Sequence, residues 1–149
     1  MRIVFAILSG VLLASCNRKP EKTPDLFATE IIFPNGTKII AQPARTQLEM
    51  LQGLRYYDRL EADRGMLFVY PVLEKHPFWT YGAKFAVDII WMDRDHRIVE
   101  MSLNTQPCPS KEAHECAHFG GQQDSRYALE LRAGVAAENG LRSGDKLDF

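Results

Sequence analysis

The sequence lacks an excess of positive charge, the common catalytic motifs and any internal repeat. Its 18 Lys and Arg residues are scattered among 19 Asp and Glu residues, giving a formal net charge of -1. Binding to nucleic-acid phosphates needs clustered basic side chains, so this charge balance argues against a nucleic-acid partner. No nucleophile elbow, HExxH helix or phosphate-binding glycine loop is present. We therefore expect a non-enzymatic protein without a cofactor.

Long apolar runs are also scarce, and the longest lies near the start, from Ile3 to Ala14. Its 12 residues are too few to span a bilayer as a helix, which takes about 20. A single positive charge at Arg2 precedes the run, and a small residue follows it. This arrangement is typical of an export signal, so residues 1–15 are predicted to be a signal peptide.

The four residues Leu13–Cys16 resemble the lipobox of bacterial lipoproteins. The resemblance implies cleavage before Cys16, lipid on its thiol, and a membrane-anchored location on the periplasmic or cell-surface side of the cell envelope. An ordinary secretory signal followed by a chance cysteine is the alternative. Asn17 is similar to the residue found in lipoproteins that are sorted to an outer membrane. Residues 16–25 are polar and contain two prolines, so we expect a flexible tether.

Cysteine is rare, with three residues in the chain. If Cys16 carries lipid, Cys108 and Cys116 remain, and in an oxidising compartment a pair at this spacing favours a disulfide. The rival interpretation is a metal site, since His114, Cys116 and His118 would share one side of an extended strand. Thiolate and imidazole suit zinc or copper(I). A metal-binding protein or hydrolase using this segment is thus the alternative function.

Residues 26–149 are predicted to form one domain. Asn35-Gly36 predicts a β-hairpin, and Thr46 with Glu49 predicts a capping box on a short helix over 47–52. A second short helix over 135–139 is expected to end at Gly140. Strands are predicted at 26–34, 37–42, 65–70, 76–81, 85–92, 97–103, 126–132 and 146–149. The fold class is α+β, mainly β: a compact antiparallel barrel or sandwich of about eight short strands and two short helices.

Two features of these strands concern burial. Residues 126–132 alternate strictly, which predicts a half-buried strand with Glu130 on its polar side. Residues 65–93 contain both tryptophans and concentrate aromatic side chains around one carboxylate, Asp88. That cluster favours either a core in which Asp88 bonds backbone N–H groups, or a shallow pocket for a sugar or a peptide end. The candidate ligand-binding residues are Phe78, Trp79, Tyr81, Asp88 and Trp91.

The ordered motifs of the domain resemble those of the DUF 192 family from about residue 28 to the C-terminus. They are QGLRYYDRL (52–60), RGMLFVY (64–70), VDIIWMD (87–93), PCP (107–109), YALELRAG (127–134) and GLRSGD (140–145). The resemblance implies a small β-rich α+β domain and almost nothing about activity. After Trp79 the family sequence is similar to Met-Lys-Asn-Thr, whereas here residues 80–83 are Thr-Tyr-Gly-Ala. The resulting hypothesis is a lipid-anchored envelope domain that binds a small ligand or a protein partner.

Overall fold

The computed structural model describes residues 27–149. The predicted signal peptide, Cys16 and the whole predicted tether lie outside the described residues, so these assignments stay predictions. Within 27–149, no helix is long and apolar enough to cross a membrane.

Eight strands and two short helices make up the described chain. The strands are β1 (Thr29–Ile32), β2 (Lys38–Ala44), β3 (Arg64–Lys75), β4 (Phe78–Trp79), β5 (Val87–Met92), β6 (Ile98–Thr105), β7 (His118–Phe119) and β8 (Asp124–Arg132). The helices are α1 (Gln47–Gln52) and α2 (Val135–Glu138), with a short 3₁₀ turn at Ala113–Glu115. This composition confirms the mainly β, α+β class.

Six of the strands form one sheet in the order β1-β2-β3-β8-β5-β6, and β4 pairs with β7 in a second, two-stranded sheet. The larger sheet is open, with β1 and β6 as its edges, so the barrel alternative is wrong and the sandwich alternative fits. The pairing of β2 with β3 is parallel, whereas the other strand pairs are antiparallel. The sequence patterns did not predict the parallel pair, because α1 and an irregular segment separate its two strands.

Local chemistry forms the hairpin and the helix ends as predicted. Asn35 Oδ1 accepts a bond of 2.9 Å from the Thr37 N–H between β1 and β2. At α1, Thr46 Oγ1 accepts from the Glu49 N–H, and Glu49 Oε2 accepts from the Thr46 N–H. The backbone donors of Thr46 and Arg45 hold the pKa of Glu49 below its usual value. The capping box is thus confirmed at both of its reciprocal bonds.

The second helix also ends as predicted, on a glycine with positive φ. Gly140 has a φ of 67°, its N–H donates to Ala137, and the Leu141 N–H donates to Ala136 at 3.0 Å. This pair of bonds is the Schellman arrangement. The predicted strand over 146–149 is wrong, because the segment contributes only isolated bridges at Lys146 and Asp148. The short strand β7 was missed, since two residues leave no periodic pattern.

Two core clusters pack on the two faces of the large sheet. The first includes Ile31, Leu129 and Leu131, together with Val135 of α2. The second is richer in aromatic residues and comprises Ala44, Leu54, Leu60, Met66, Phe68, Phe78, Val87, Ile89, Trp91 and Ala128. Because both faces of β8 are covered, the expectation of a half-buried strand is wrong. Glu130 is buried on the face of the second cluster.

Candidate functional site

A cavity of about 280 Å³ opens beside the second core cluster. Helix α1 and the turn after it form one side, β3 and β8 form the floor, and residues 77–83 form the opposite wall. The lining residues are Gln47, Met50, Leu51, Gln52, Gly53, Leu54, Arg55, Phe68, Tyr70, Pro77, Phe78, Trp79, Thr80, Tyr81, Ala83, Val87 and Glu130. Most of them are apolar or aromatic, which is the usual composition of a small-molecule site.

Aromatic side chains give the cavity fixed walls. Phe78 lies edge-on against Phe68, with 4.8 Å between ring centroids, and Trp79 lies 6.0 Å from Tyr81. Tyr70 stacks on His76 at 3.5 Å. Such ring pairs are each worth about 1 kcal/mol beyond the area they bury. The walls are therefore held by aromatic contacts as well as by the backbone of the strands.

Glu130 supplies the buried acidic group of this cavity. It lies on β8 between Met66 of β3 and Ile89 of β5, and 6% of its surface is exposed. Its Oε2 atom is buried and has no hydrogen-bond partner among residues 27–149. A Cβ atom on Gly53 would lie 3.9 Å from that oxygen, which places the end of α1 beside the carboxyl group.

Burial raises the pKa of Glu130 to about 8, because the charged form loses its hydration. The carboxyl group is consequently mostly protonated at neutral pH and can donate one hydrogen bond. Burial, and then the nearby Glu130 charge, raise the pKa of the Tyr70 phenol well above its usual value. A neutral acid and a neutral phenol thus lie together within apolar walls.

Arg55 is the cationic residue of the lining. Its guanidinium carbon lies 4.7 Å from the centroid of the Tyr81 ring, a cation–π contact. The Arg55 Nε atom is buried and has no hydrogen-bond partner in the described part of the chain. Gly82 allows this placement, since a Cβ atom there would come within 2.8 Å of Arg55 Cγ. None of the ion pairs found within 27–149 joins Arg55 to Glu130.

The structure divides the five candidate ligand-binding residues into two groups. Phe78, Trp79 and Tyr81 line the cavity, whereas Asp88 and Trp91 do not. Asp88 is buried and accepts bonds from the backbone N–H groups of Asn104 (2.8 Å), Gly134 (2.9 Å) and Ala136 (3.0 Å). Both of its oxygens are thus already bonded within the fold, and Asp88 lies outside this cavity.

Trp91 also lies outside the lining of this cavity. Its ring is fully buried, and its indole Nε1–H donates a bond of 2.8 Å to the His76 carbonyl oxygen. A Cβ atom on Gly120 would lie 2.3 Å from Trp91 Cη2, so the ring is covered closely by the chain. Trp91 therefore belongs to the core beneath the cavity.

The loop over residues 106–117, which contains both Cys108 and Cys116, adjoins the wall of the cavity. The Sγ atoms of Cys108 and Cys116 lie 2.06 Å apart, at the distance of a disulfide. In this state Cys116 has no free thiolate, and His114 lies in the 3₁₀ turn, so the extended strand behind the metal interpretation is absent from this segment. No group of three or more His, Cys, Asp or Glu residues within 27–149 is arranged to hold a metal ion.

Hydrogen bonds connect this loop to the cavity. Thr80 Oγ1 donates a hydrogen bond of 2.8 Å to the Gln106 carbonyl oxygen, and the Tyr81 hydroxyl donates one of 3.2 Å to the Lys111 carbonyl oxygen. Trp79 also stacks with His118 of β7, with ring centroids 5.8 Å apart. The loop consequently supports the wall formed by residues 79–81.

Sequence reasoning missed both Glu130 and Arg55 as members of the site. Glu130 occupies the polar position of an alternating strand, and Arg55 lies in a polar, irregular segment. The available signal for Glu130 was its position between Leu129 and Leu131. That position indicates a buried carboxyl group only if β8 is known to be a central strand of the sheet.

Comparison with known proteins gives a family and a fold. The sequence profile of the DUF192 family, described as Uncharacterized ACR, matches residues 30–149. A crystal structure of a protein of unknown function from Novosphingobium aromaticivorans is similar at a TM-score of 0.72 and 22% identity, covering 95% of this chain and 100% of that one.

A second crystal structure, of a candidate transcription regulator from Sinorhizobium meliloti, is similar at a TM-score of 0.70 and 24% identity. It covers 80% of this chain and 89% of the other. At these identities the likeness shows the fold alone. No curated protein matches the sequence.

Proposed function

This chain belongs to the DUF192 family, and from its site we propose that it binds a small ligand, without catalysis, in the cavity between α1 and residues 77–83. The observation that carries the proposal is the buried Glu130 Oε2 atom, which has no partner within 27–149 and lies at the cavity. Leaving a buried polar group unsatisfied costs about 1–3 kcal/mol. A ligand that hydrogen-bonds to this carboxyl group removes that cost.

The cavity limits the size and polarity of the ligand. Its volume of about 280 Å³ is just below the range of about 300–1,000 Å³ that is usual for ligand sites. One ring or a short branched chain with one or two polar groups fits this space. The aromatic walls favour a flat or apolar body, and Glu130 fixes its orientation by a hydrogen bond.

Benzamide is a suitable neutral probe, because its ring matches the walls and its amide can bond a carboxyl group. The chain has two tryptophans, of which Trp79 lines the cavity and Trp91 is buried beneath it. We expect titration with benzamide to shift the Trp79 indole N–H signal in NMR spectra, saturating at millimolar concentration. The Trp91 signal should move less, which makes it an internal control.

A pair of variants shows whether Glu130 contributes to this binding. Glu130→Leu should weaken benzamide binding several-fold, because the ligand loses its buried hydrogen-bond partner. Glu61→Leu changes an exposed carboxylate outside the cavity and should leave the affinity unchanged. A Trp79 signal that stays fixed in the folded wild-type protein would refute the proposal.

We propose in addition that the domain is held at the cell envelope by lipid on Cys16. The support is the sequence Leu13–Cys16, with Asn17 favouring an outer membrane. Intact-mass measurement of the full chain purified from bacterial membranes should show loss of residues 1–15 and added acyl chains. Cys16→Ala should abolish acylation and leave the uncleaved precursor. Wild-type protein recovered without lipid would contradict the proposal.

A further inference from the structure

The site also indicates the chemical class of the ligand, an inference that rests on the proposed binding function. We infer that the cavity selects a small organic anion, whose acidic group binds the Arg55 guanidinium while its body lies between the aromatic walls and contacts Glu130. The inference depends on the charges of the lining and on the unused hydrogen-bonding capacity of Arg55.

The first argument is the charge of the cavity. Its titratable side chains are Arg55, Tyr70, Tyr81 and Glu130. Burial raises the pKa of Glu130 to about 8 and that of Tyr70 further above its usual value, so both are mostly uncharged at neutral pH. The guanidinium of Arg55 then remains as the formal charge of the lining. A cavity with one positive charge and apolar walls favours an anion over a cation of equal size.

The second argument is the geometry of Arg55. One face of its guanidinium packs over Tyr81 at 4.7 Å, so the hydrogen-bonding edge is the part left for a partner. The buried Nε–H on that edge has no partner among the described residues. Nε and a neighbouring terminal nitrogen together form the fork that a carboxylate or phosphate accepts through two oxygens.

The third argument concerns Glu130 itself. An ionised carboxylate in the cavity would repel an anion, but a protonated one can donate its O–H to the ligand. Arg55 and Glu130 form no ion pair with each other within 27–149, so neither group is neutralised by the other. The two unsatisfied groups therefore complement a ligand that carries a negative charge and a further acceptor.

Three probes of equal ring size separate charge from shape: benzoate, benzamide and benzylamine. At pH 6.5, calorimetric titration of the folded protein should give a dissociation constant for benzoate at least five-fold lower than that for benzamide. Benzylamine, which is a cation at this pH, should bind most weakly. Phenyl phosphate then tests whether the anion site prefers a carboxylate or a phosphate group.

Variants test the role assigned to Arg55. Arg55→Gln should weaken benzoate at least five-fold and leave benzamide within two-fold of its wild-type affinity. Arg59→Gln is the matched control, because Arg59 is exposed nearby, outside the cavity, and should affect neither probe. From pH 6.5 to 8.5, wild-type affinity for benzoate should fall about four-fold as Glu130 ionises, and Glu130→Gln should remove this change.

The outcomes distinguish this inference from the function on which it rests. If benzamide binds but benzoate binds no tighter, or if Arg55→Gln affects both probes equally, the anion class is wrong and ligand binding stands. If none of the probes shifts the Trp79 signal in the folded protein, the binding function itself is refuted. If benzylamine binds more tightly than benzoate, the cavity selects a cation and the assigned anionic class is wrong.

Discussion

Glu130→Gln is expected to stabilise the protein at alkaline pH, by about 4 kcal/mol at pH 8. The pKa of the carboxyl group is about 8 in the folded chain, against 4.5 for an unperturbed glutamate. Each pKa unit corresponds to about 1.4 kcal/mol. Between these two values the folded state holds a proton that the unfolded state releases, so stability falls as the pH rises. Glutamine keeps the size of the neutral acid and cannot ionise.

Urea denaturation of both proteins at pH 5 and pH 8 measures this effect. At pH 5 the two free energies of unfolding should agree within about 1 kcal/mol, since wild-type Glu130 is then protonated when folded. Burial lowers the pKa of His96, but this group titrates in both proteins and cancels in their difference. Glu61→Gln, an exposed control, should show no pH-dependent difference from wild type. An equal difference at both pH values would mean that the folded pKa of Glu130 is not raised.

The parts of the fold that the sequence predicted are those decided by neighbouring residues. The capping box at Thr46 needs only a hydroxyl and a carboxylate three positions apart, and the end of α2 needs only Gly140 with its positive φ. The Asn35-Gly36 turn is equally local. The bonds that define these elements join residues close in sequence. Their sequence signals therefore predict them without knowledge of the sheet order.

The misplaced parts depend on which strands become neighbours. The alternation in β8 correctly places Glu130 opposite Leu129 and Leu131, but it cannot say whether the polar face is solvated. β8 lies between β3 and β5, and the second core cluster covers that face. The central position of β8 in the sheet therefore buries Glu130. Sequence alternation therefore predicted the orientation of the side chain and missed its environment.

The sequence indicated part of the cavity lining for a similar reason. Aromatic density in 65–93 indicated where large side chains gather, and Phe78, Trp79 and Tyr81 do line the cavity. Density does not separate a wall from the core behind it, so Trp91 was grouped with them. Asp88 was included because its sequence neighbours are apolar. A buried carboxylate that only bonds backbone N–H groups has the same apolar neighbours, so the sequence does not separate the two roles.

Asp88→Ala is expected to lower the free energy of unfolding by about 5 kcal/mol. The two oxygens of this buried carboxylate accept three hydrogen bonds from backbone N–H groups. One comes from Asn104 at the end of β6, and two come from Gly134 and Ala136 at the start of α2. Hydrogen bonds to a charged group contribute about 1.5–3 kcal/mol each, and their removal leaves the donors buried. With a total stability of about 5–15 kcal/mol for a domain, this loss is a large share.

Urea denaturation measures the loss, and Asp95→Ala is the control because Asp95 lies exposed in the turn between β5 and β6. Asp88→Asn separates structure from binding: its amide keeps one acceptor oxygen, so the protein should be destabilised but remain folded at low temperature. Since Asp88 is outside the cavity, the folded Asn variant should bind benzamide with wild-type affinity. A loss of stability below 1 kcal/mol in the alanine variant, or failed binding by the folded Asn variant, would contradict the structural role assigned to Asp88.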